Sequence, residues 1–227
     1  MCPKTPDLRR AVPAAVFLGR ILIFFHDCVH SSFFASRRAN AILGRICGIL
    51  TFTPYEDWRR AHGIHHATVG DLDRRGVGDF WLLTVIAILA IIVAASLTIG
   101  FRTYVLIHLP VILICGAMAM WMFYVQHQFD SVLWSRHDER DPIRIALEGS
   151  PYYRLPGILQ WMTGNIGYHH IHHIRPGIPD YNLQRCYDET PAMQAVKPLT
   201  IRESLRSPFL YLWDEGRQRI VGFRSRR

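Results

Sequence analysis

Charge is what long stretches of this chain lack. Half of its 227 residues are apolar and 19% are charged, and the mean hydropathy is slightly positive at +0.10. The deficit is local: residues 80–100 carry no charge, and residues 103–126 have only His108 as an ionisable interruption. Soluble helices rarely avoid charge for so long, and about twenty apolar residues cross a bilayer. Both stretches read as transmembrane helices, joined by Phe101-Arg102 into an antiparallel hairpin. Paired cysteine spacing is also missing. Cys2, Cys28, Cys47, Cys115 and Cys186 form no CxxC, which excludes a thiolate metal framework and leaves reduced packing thiols. The start, MCPKTPDLRR, has no apolar core of a cleavable signal peptide. Repeats and low-complexity tracts are absent too. The net charge of +8 comes without aromatic-interleaved basic runs, so anionic lipid headgroups are expected as its partner and nucleic acid is not.

Residues 11–25 are apolar except for Arg20, and spanning length is reached only by including His26, Asp27 and His30. This reads as part of a span over residues 11–30 whose upstream helix is expected to be missing. Residues 39–52 are interrupted by Asn40 and Arg45 and are too short to span, so an interfacial or re-entrant segment is expected there. Seven arginines fall between residues 37 and 75 and fourteen Lys plus Arg from 127 onward, against Arg102 alone in the hairpin turn. The positive-inside rule then places residues 31–79 and 127–227 in the cytoplasm. The expected fold is a single all-α domain over residues 1–227: an integral membrane bundle of hairpin plus partial span, with a cytoplasmic histidine-rich di-metal cap.

Histidine is what the chain has in excess. Eight of twelve fall into three groups, His26/His30 (HxxxH), His62/His65/His66 (HxxHH) and His169/His172/His173 (HxxHH). On a helix, positions i, i+3 and i+4 lie within an arc of about 100°, so each group can aim its imidazoles one way. His127, in FYVQHQF at the end of the second span, is a ninth candidate. His170 is expected to be supporting or exposed, His108 to pack and His137 to lie at the surface. Imidazole-rich sites suit zinc, copper, iron or nickel, and eight or nine ligands exceed what one four-coordinate ion takes, so two ions are expected. A two-ion site at the end of membrane helices points to a hydrocarbon substrate, and iron has the redox chemistry with O2 that an inert alkyl chain demands, whereas zinc does not. Asp27, Asp73 and Asn165 are candidates to receive the outer ring N–H groups, as are other aspartates such as Asp57, Asp71 and Asp79.

The words HDCVHSSFF, TPYEDWRRAHGIHHATVGDLDRRGVGD, FYVQHQF and TGNIGYHHIHHIRPGIPDYNL resemble the membrane fatty acid desaturases, most closely the bacterial acyl-lipid omega-6 (Δ12-type) branch. The resemblance runs from about residue 11 to Glu215. It implies a helical membrane fold with a cytoplasmic di-iron site that uses O2 to insert a cis double bond into an acyl lipid or acyl thioester. The two electrons would come from a separate ferredoxin-like or cytochrome-like donor. By position, the implied ligands are His26, His30, His62, His65, His66, His169, His172 and His173, with His127 as the additional one. Val29 stands where that branch usually has glycine. A first span is expected to be absent, and the segment between Val85 and the hairpin turn to be shortened. Within related chemistry, a di-iron alkane or carotenoid hydroxylase has similar histidine boxes. A zinc-dependent membrane hydrolase, a zinc-binding protein or an inactive homologue are the readings from other classes.

Overall fold

The computed structural model describes residues 8–73 and 82–223, without the side chains of residue 8 and residues 82–88. Arg74, Arg75, Asp79 and the start of the expected span at Phe80 lie outside the described residues. The chain forms two compact units: Met1–Arg60 with Gly78–Met120, and Ala61–Val77 with Trp121–Arg227.

In the first unit, α1 (Leu8–Val29) packs against α2 (Arg37–Leu50), and the start of α3 (Tyr55–Thr68) closes the core. Asn40, expected only as a break in an apolar run, is fully buried and clamps the connection. It accepts from the Phe34 amide at 3.1 Å and donates to the carbonyls of Phe34 and Ser36 at 2.7 and 2.9 Å. Ser36 caps α2 by accepting from the Ala39 amide. Phe25, Cys28, Val29, Cys47 and Tyr55 form the core, and the Tyr55 hydroxyl donates to the Cys28 carbonyl at 3.1 Å. Gly44 is required here: a Cβ would fall 2.2 Å from the Tyr55 ring. The opposite face of α2 leaves Ile42, Ile46 and Ile49 exposed, an apolar stripe on a helix too short to cross a membrane.

Two described helices are long and apolar enough to span, Arg9–Val29 and Phe101–Val125, with mean hydropathies of 1.7 and 2.2 over their best windows. α4 (Leu82–Ile99) and α5 (Phe101–Val125) are apolar all round and join at Gly100, whose φ of +84° turns the chain. The expected packed hairpin is not what the described residues form. α4 and α5 barely touch beyond their junction, because neither helix has a face that prefers a neighbour over hydrocarbon. Only 6% of the α5 window is buried.

The second unit is helical with two small sheets, which departs from the all-α expectation. The end of α3 is followed by α6 (Pro142–Glu148), β1 (Tyr152–Arg154), α7 (Gly157–Met162), α8 (His169–Ile174), α9 (Asp180–Glu189), α10 (Pro191–Gln194), β2 (Pro198–Thr200), α11 (Ile201–Ser204), β3 (Leu212–Asp214) and β4 (Arg219–Val221). β1 pairs parallel with β2, and β3 pairs antiparallel with β4. Val125, Phe129, Val132, Tyr153, Leu199 and Ile220 form one core, and Tyr168, Ile171 and Leu183 another.

Candidate metal centre

α3 starts with Glu56 and Asp57 in its first turn, which complement the helix dipole, and has His62, His65 and His66 in its C-terminal half. α8 has only six residues, too few to be helical on its own. Tertiary contacts hold it instead. The Tyr168 ring stacks on Tyr152 with centroids 4.9 Å apart, Ile171 enters the core beside Leu183, and the Tyr153 amide donates to the Gly167 carbonyl at 2.7 Å. At Gly167 a Cβ would meet Gln160 Oε1 at 2.5 Å and the Tyr153 carbonyl at 2.6 Å, so glycine is what lets the chain enter α8 at this point. Beside it, buried Gln126 donates from Nε2 to the Ile166 carbonyl at 2.7 Å, which ties the residue before His127 to the approach of His169.

These supports bring seven imidazoles of the second unit into two adjoining groups. In one, His65, His127, His169 and His173 place their ligand nitrogens within 4.8 Å of one another. His169 Nε2 lies 3.0 Å from both His127 Nε2 and His173 Nε2. In the other, His66 Nε2 lies 3.1 Å from His62 Nε2 and 3.0 Å from His172 Nε2. The His66 and His173 rings, one from each group, are 4.4 Å apart. Two nitrogens each about 2.1 Å from one ion lie about 3.0 to 3.4 Å apart, depending on the angle between them, so these separations fit shared coordination. Burial first, and then neighbouring imidazoles, hold His127, His169 and His173 well below the ordinary histidine pKa. They are therefore neutral near pH 7, the form whose lone pair binds a metal. Phe123, in the last turn of α5, sets its ring 5.2 Å from those of both His65 and His127.

His26 and His30 belong to the first unit, at the end of α1 and just past it, with ring centroids 4.8 Å apart. Buried Asp27 has Oδ1 3.4 Å from His26 Nδ1. Val29 is buried in the α1–α2 core. Two of the other candidates for outer N–H groups are committed elsewhere. Asp73 accepts from Arg136 Nη1 at 2.7 Å and from the His137 amide at 3.0 Å, while Asn165, in a turn before α8 with φ +53°, donates to the Asp180 carbonyl. The outer atom of His169, Nδ1, meets no hydrogen-bond partner among the described residues. His170, expected to be supporting or exposed, is fully buried. Burial pushes its pKa down to about 4, and its neutral ring hydrogen-bonds the Met193 carbonyl through Nε2 at 3.2 Å. His137 is half-exposed, yet its Nδ1 pairs with buried Asp71 at 2.8 Å. His108 packs against Phe52 and Tyr104.

A family model described as fatty acid desaturase matches residues 10–79 and 75–203. The chain belongs to the fatty acid desaturase family. Desaturases are oxidoreductases that act in or at membranes, so the chain falls in an oxidoreductase family whose histidine clusters and apolar helices it retains. It is 36% identical to a protein named fatty acid desaturase from Bacillus subtilis (strain 168), over 96% of this chain and 78% of the relative. It is 21% identical to an sn-1 oleoyl-lipid 12-desaturase from Picosynechococcus sp. (strain ATCC 27264 / PCC 7002 / PR-6), over 75% of this chain and 65% of that one. A shorter match, 36% over 23% of this chain and 15% of the relative, is to an sn-1 acyl-lipid omega-3 desaturase (ferredoxin) from Synechocystis sp. (strain ATCC 27184 / PCC 6803 / Kazusa). The alignment with the Bacillus protein extends over 273 positions against 227 residues here, so that relative has residues between the matched blocks that this chain lacks. The family match divides at residues 75–79, ahead of the Val85 position expected for the shortening.

Proposed function

We propose that this desaturase inserts a cis double bond into the acyl chain of a membrane lipid at a di-iron centre, on the cytoplasmic side of a bacterial inner membrane. The observation that carries the reading is the pair of adjoining imidazole groups, seven nitrogen ligands from three separate stretches of chain in one compact unit. His65, His127, His169 and His173 are assigned to one iron, and His62, His66 and His172 to the other. His26 and His30 are assigned to complete the second set on the strength of their HxxxH spacing. Iron is favoured over zinc because desaturation is a redox reaction: two adjacent methylenes and O2, with two electrons and two protons, give an alkene and two water molecules. When bound, the irons supply this O2 chemistry. The protein's own part is to hold the imidazoles in register, through Gln126, Gly167 and the Tyr168 stack, and to keep His127, His169 and His173 unprotonated by burial. Phe123 offers an apolar surface beside the ligands where a hydrocarbon chain can lie. The electron donor is proposed to be a separate ferredoxin-like or cytochrome-like protein. A Δ12-type position is the finer reading, supported by the histidine-box words and by the 21% likeness to a 12-desaturase.

The test is expression in a host whose membranes lack polyunsaturated lipids, with an electron donor supplied, followed by mass-spectrometric location of new double bonds. New unsaturation in lipid-bound chains that disappears in a His169→Ala variant supports the proposal. An alcohol product would turn the reading to hydroxylation. Iron-loaded protein that leaves every chain saturated as before would remove it.

A further inference from the structure

We infer that residues 197–223 form a membrane-surface element, with an apolar face that enters the headgroup boundary of the leaflet nearest the end of α5. The inference rests on the reading of α5 as a spanning helix. Five of the ten large apolar side chains left exposed by the second unit's described residues are concentrated here: Ile201, Leu205, Phe209, Tyr211 and Phe223. Phe209 and Phe223 are 68% and 66% exposed, more than an isolated core-edge residue needs, and the Tyr211 and Phe223 rings stack on each other at 5.0 Å. Exposed apolar side chains concentrated in one segment of a folded protein mark a binding surface.

The other side of the same segment is anchored. Ser204 and Ser207 are buried, the Tyr153 hydroxyl meets Ser204 Oγ at 2.9 Å, and Ile220 lies in the core with Val125 and Phe129. The segment therefore has an anchored inside and an exposed outside, on which the five apolar side chains are interspersed with the charged Arg202, Glu203 and Arg206.

Its height relative to the bilayer follows from α5. Tyr124, in the last turn of that helix, donates its hydroxyl to the Ser207 carbonyl at 3.3 Å, and Gln128, three residues past the end, donates from Nε2 to the Leu210 carbonyl at 2.6 Å. If α5 spans, its end lies at headgroup level, and residues 207–210 are held there with it. Charge fits the same occupant. A cleft of about 90 Å³ opens between the loop after α5 and the start of the segment, lined by Lys197 and Arg206 as well as Asp130 and Glu203. A lining with charges of both signs suits a zwitterionic phospholipid headgroup, with a phosphate and an ammonium, better than a free anion. Apolar side chains flanked by cations are how an interfacial element binds a leaflet.

The experiment is nitroxide depth measurement on the full chain in phospholipid nanodiscs. It uses a Cys2→Ser/Cys186→Ser background, whose other three cysteines are buried. Labels go singly on Phe209→Cys and Phe223→Cys, with Leu113→Cys in mid-α5 and Gln184→Cys on the polar α9 as references. The expected result is a deep position for Leu113, an aqueous one for Gln184, and about 5–10 Å of immersion for both residues 209 and 223. Aqueous accessibility at 209 and 223 equal to that at 184, with 113 still deep, overturns the inference and leaves the spanning reading standing. An aqueous Leu113 overturns both.

Discussion

Among single residues, His169 is the one whose geometry does most in the metal centre. Its Nε2 is the atom that lies 3.0 Å from both His127 and His173, so removing it leaves the other members of its group without their common neighbour. His169→Ala is expected to cut iron bound per chain by about half, read by elemental analysis after anaerobic loading, since the His62/His66/His172 group keeps its rings. His170→Ala, one position along, is expected to retain iron and to lose stability instead, because it empties a buried site and orphans the Met193 carbonyl, at about 1–3 kcal/mol. The two HxxHH groups were legible because i, i+3, i+4 spacing is a property of the chain itself. Which carboxylate goes where was not. Asp71 and Asp73 stand two apart in GDLDR, and only the packing of the 133–140 loop decides that Asp71 is buried on His137 and Asp73 is held by Arg136. Gln126 likewise looks like any polar residue at a helix end until Ile166 is seen opposite it.

At the scale of elements, the apolar helices could be read from composition, since a run without charge is its own evidence. The small strands could not, for each has three residues, too short to show alternation, and β1 and β2 are distant in sequence. α8 was expected to be helical from its histidine spacing, but it is a turn and a half held by neighbours, so its position depends on close approach at Gly167. A matched pair of substitutions tests this. Gly167→Ala forces a Cβ against the Tyr153 carbonyl and Gln160 and is expected to destabilise by about 1–3 kcal/mol and lower iron content. Gly63→Ala, inside α3 between ligands but with nothing within 4 Å of its Cβ, is expected to stabilise by about 0.5–1 kcal/mol through helix propensity and to keep the iron. Thermal unfolding alongside metal analysis separates the two, and equal behaviour of both variants would show that α8 does not depend on this contact. The expected hairpin between α4 and α5 is not formed because a helix apolar on all sides has no face that selects a particular neighbour.

For the whole molecule, the distribution of charge makes a claim that no local contact makes. The chain has +8 net, and fourteen of its twenty-six basic residues follow α5, against a lone Arg102 at the helix's other end. If α5 crosses the bilayer, the positive-inside rule puts its C-terminal end, with His127 and the second unit, in the cytoplasm. The expectation is that a fluorescent protein fused after Arg227 fluoresces and that a periplasm-dependent alkaline phosphatase fused there stays silent. Arg102 replaced by three glutamates should change nothing, because acidic residues contribute little to orientation, whereas three added lysines at that turn should weaken the bias measurably in both reporters. The opposite result for the unmodified chain, an active phosphatase at the C-terminus, would place seven imidazoles on the oxidising side of the membrane, away from ferrous iron and from any soluble cytoplasmic electron donor. The fold and family membership would survive that outcome; the proposed route for electrons would not.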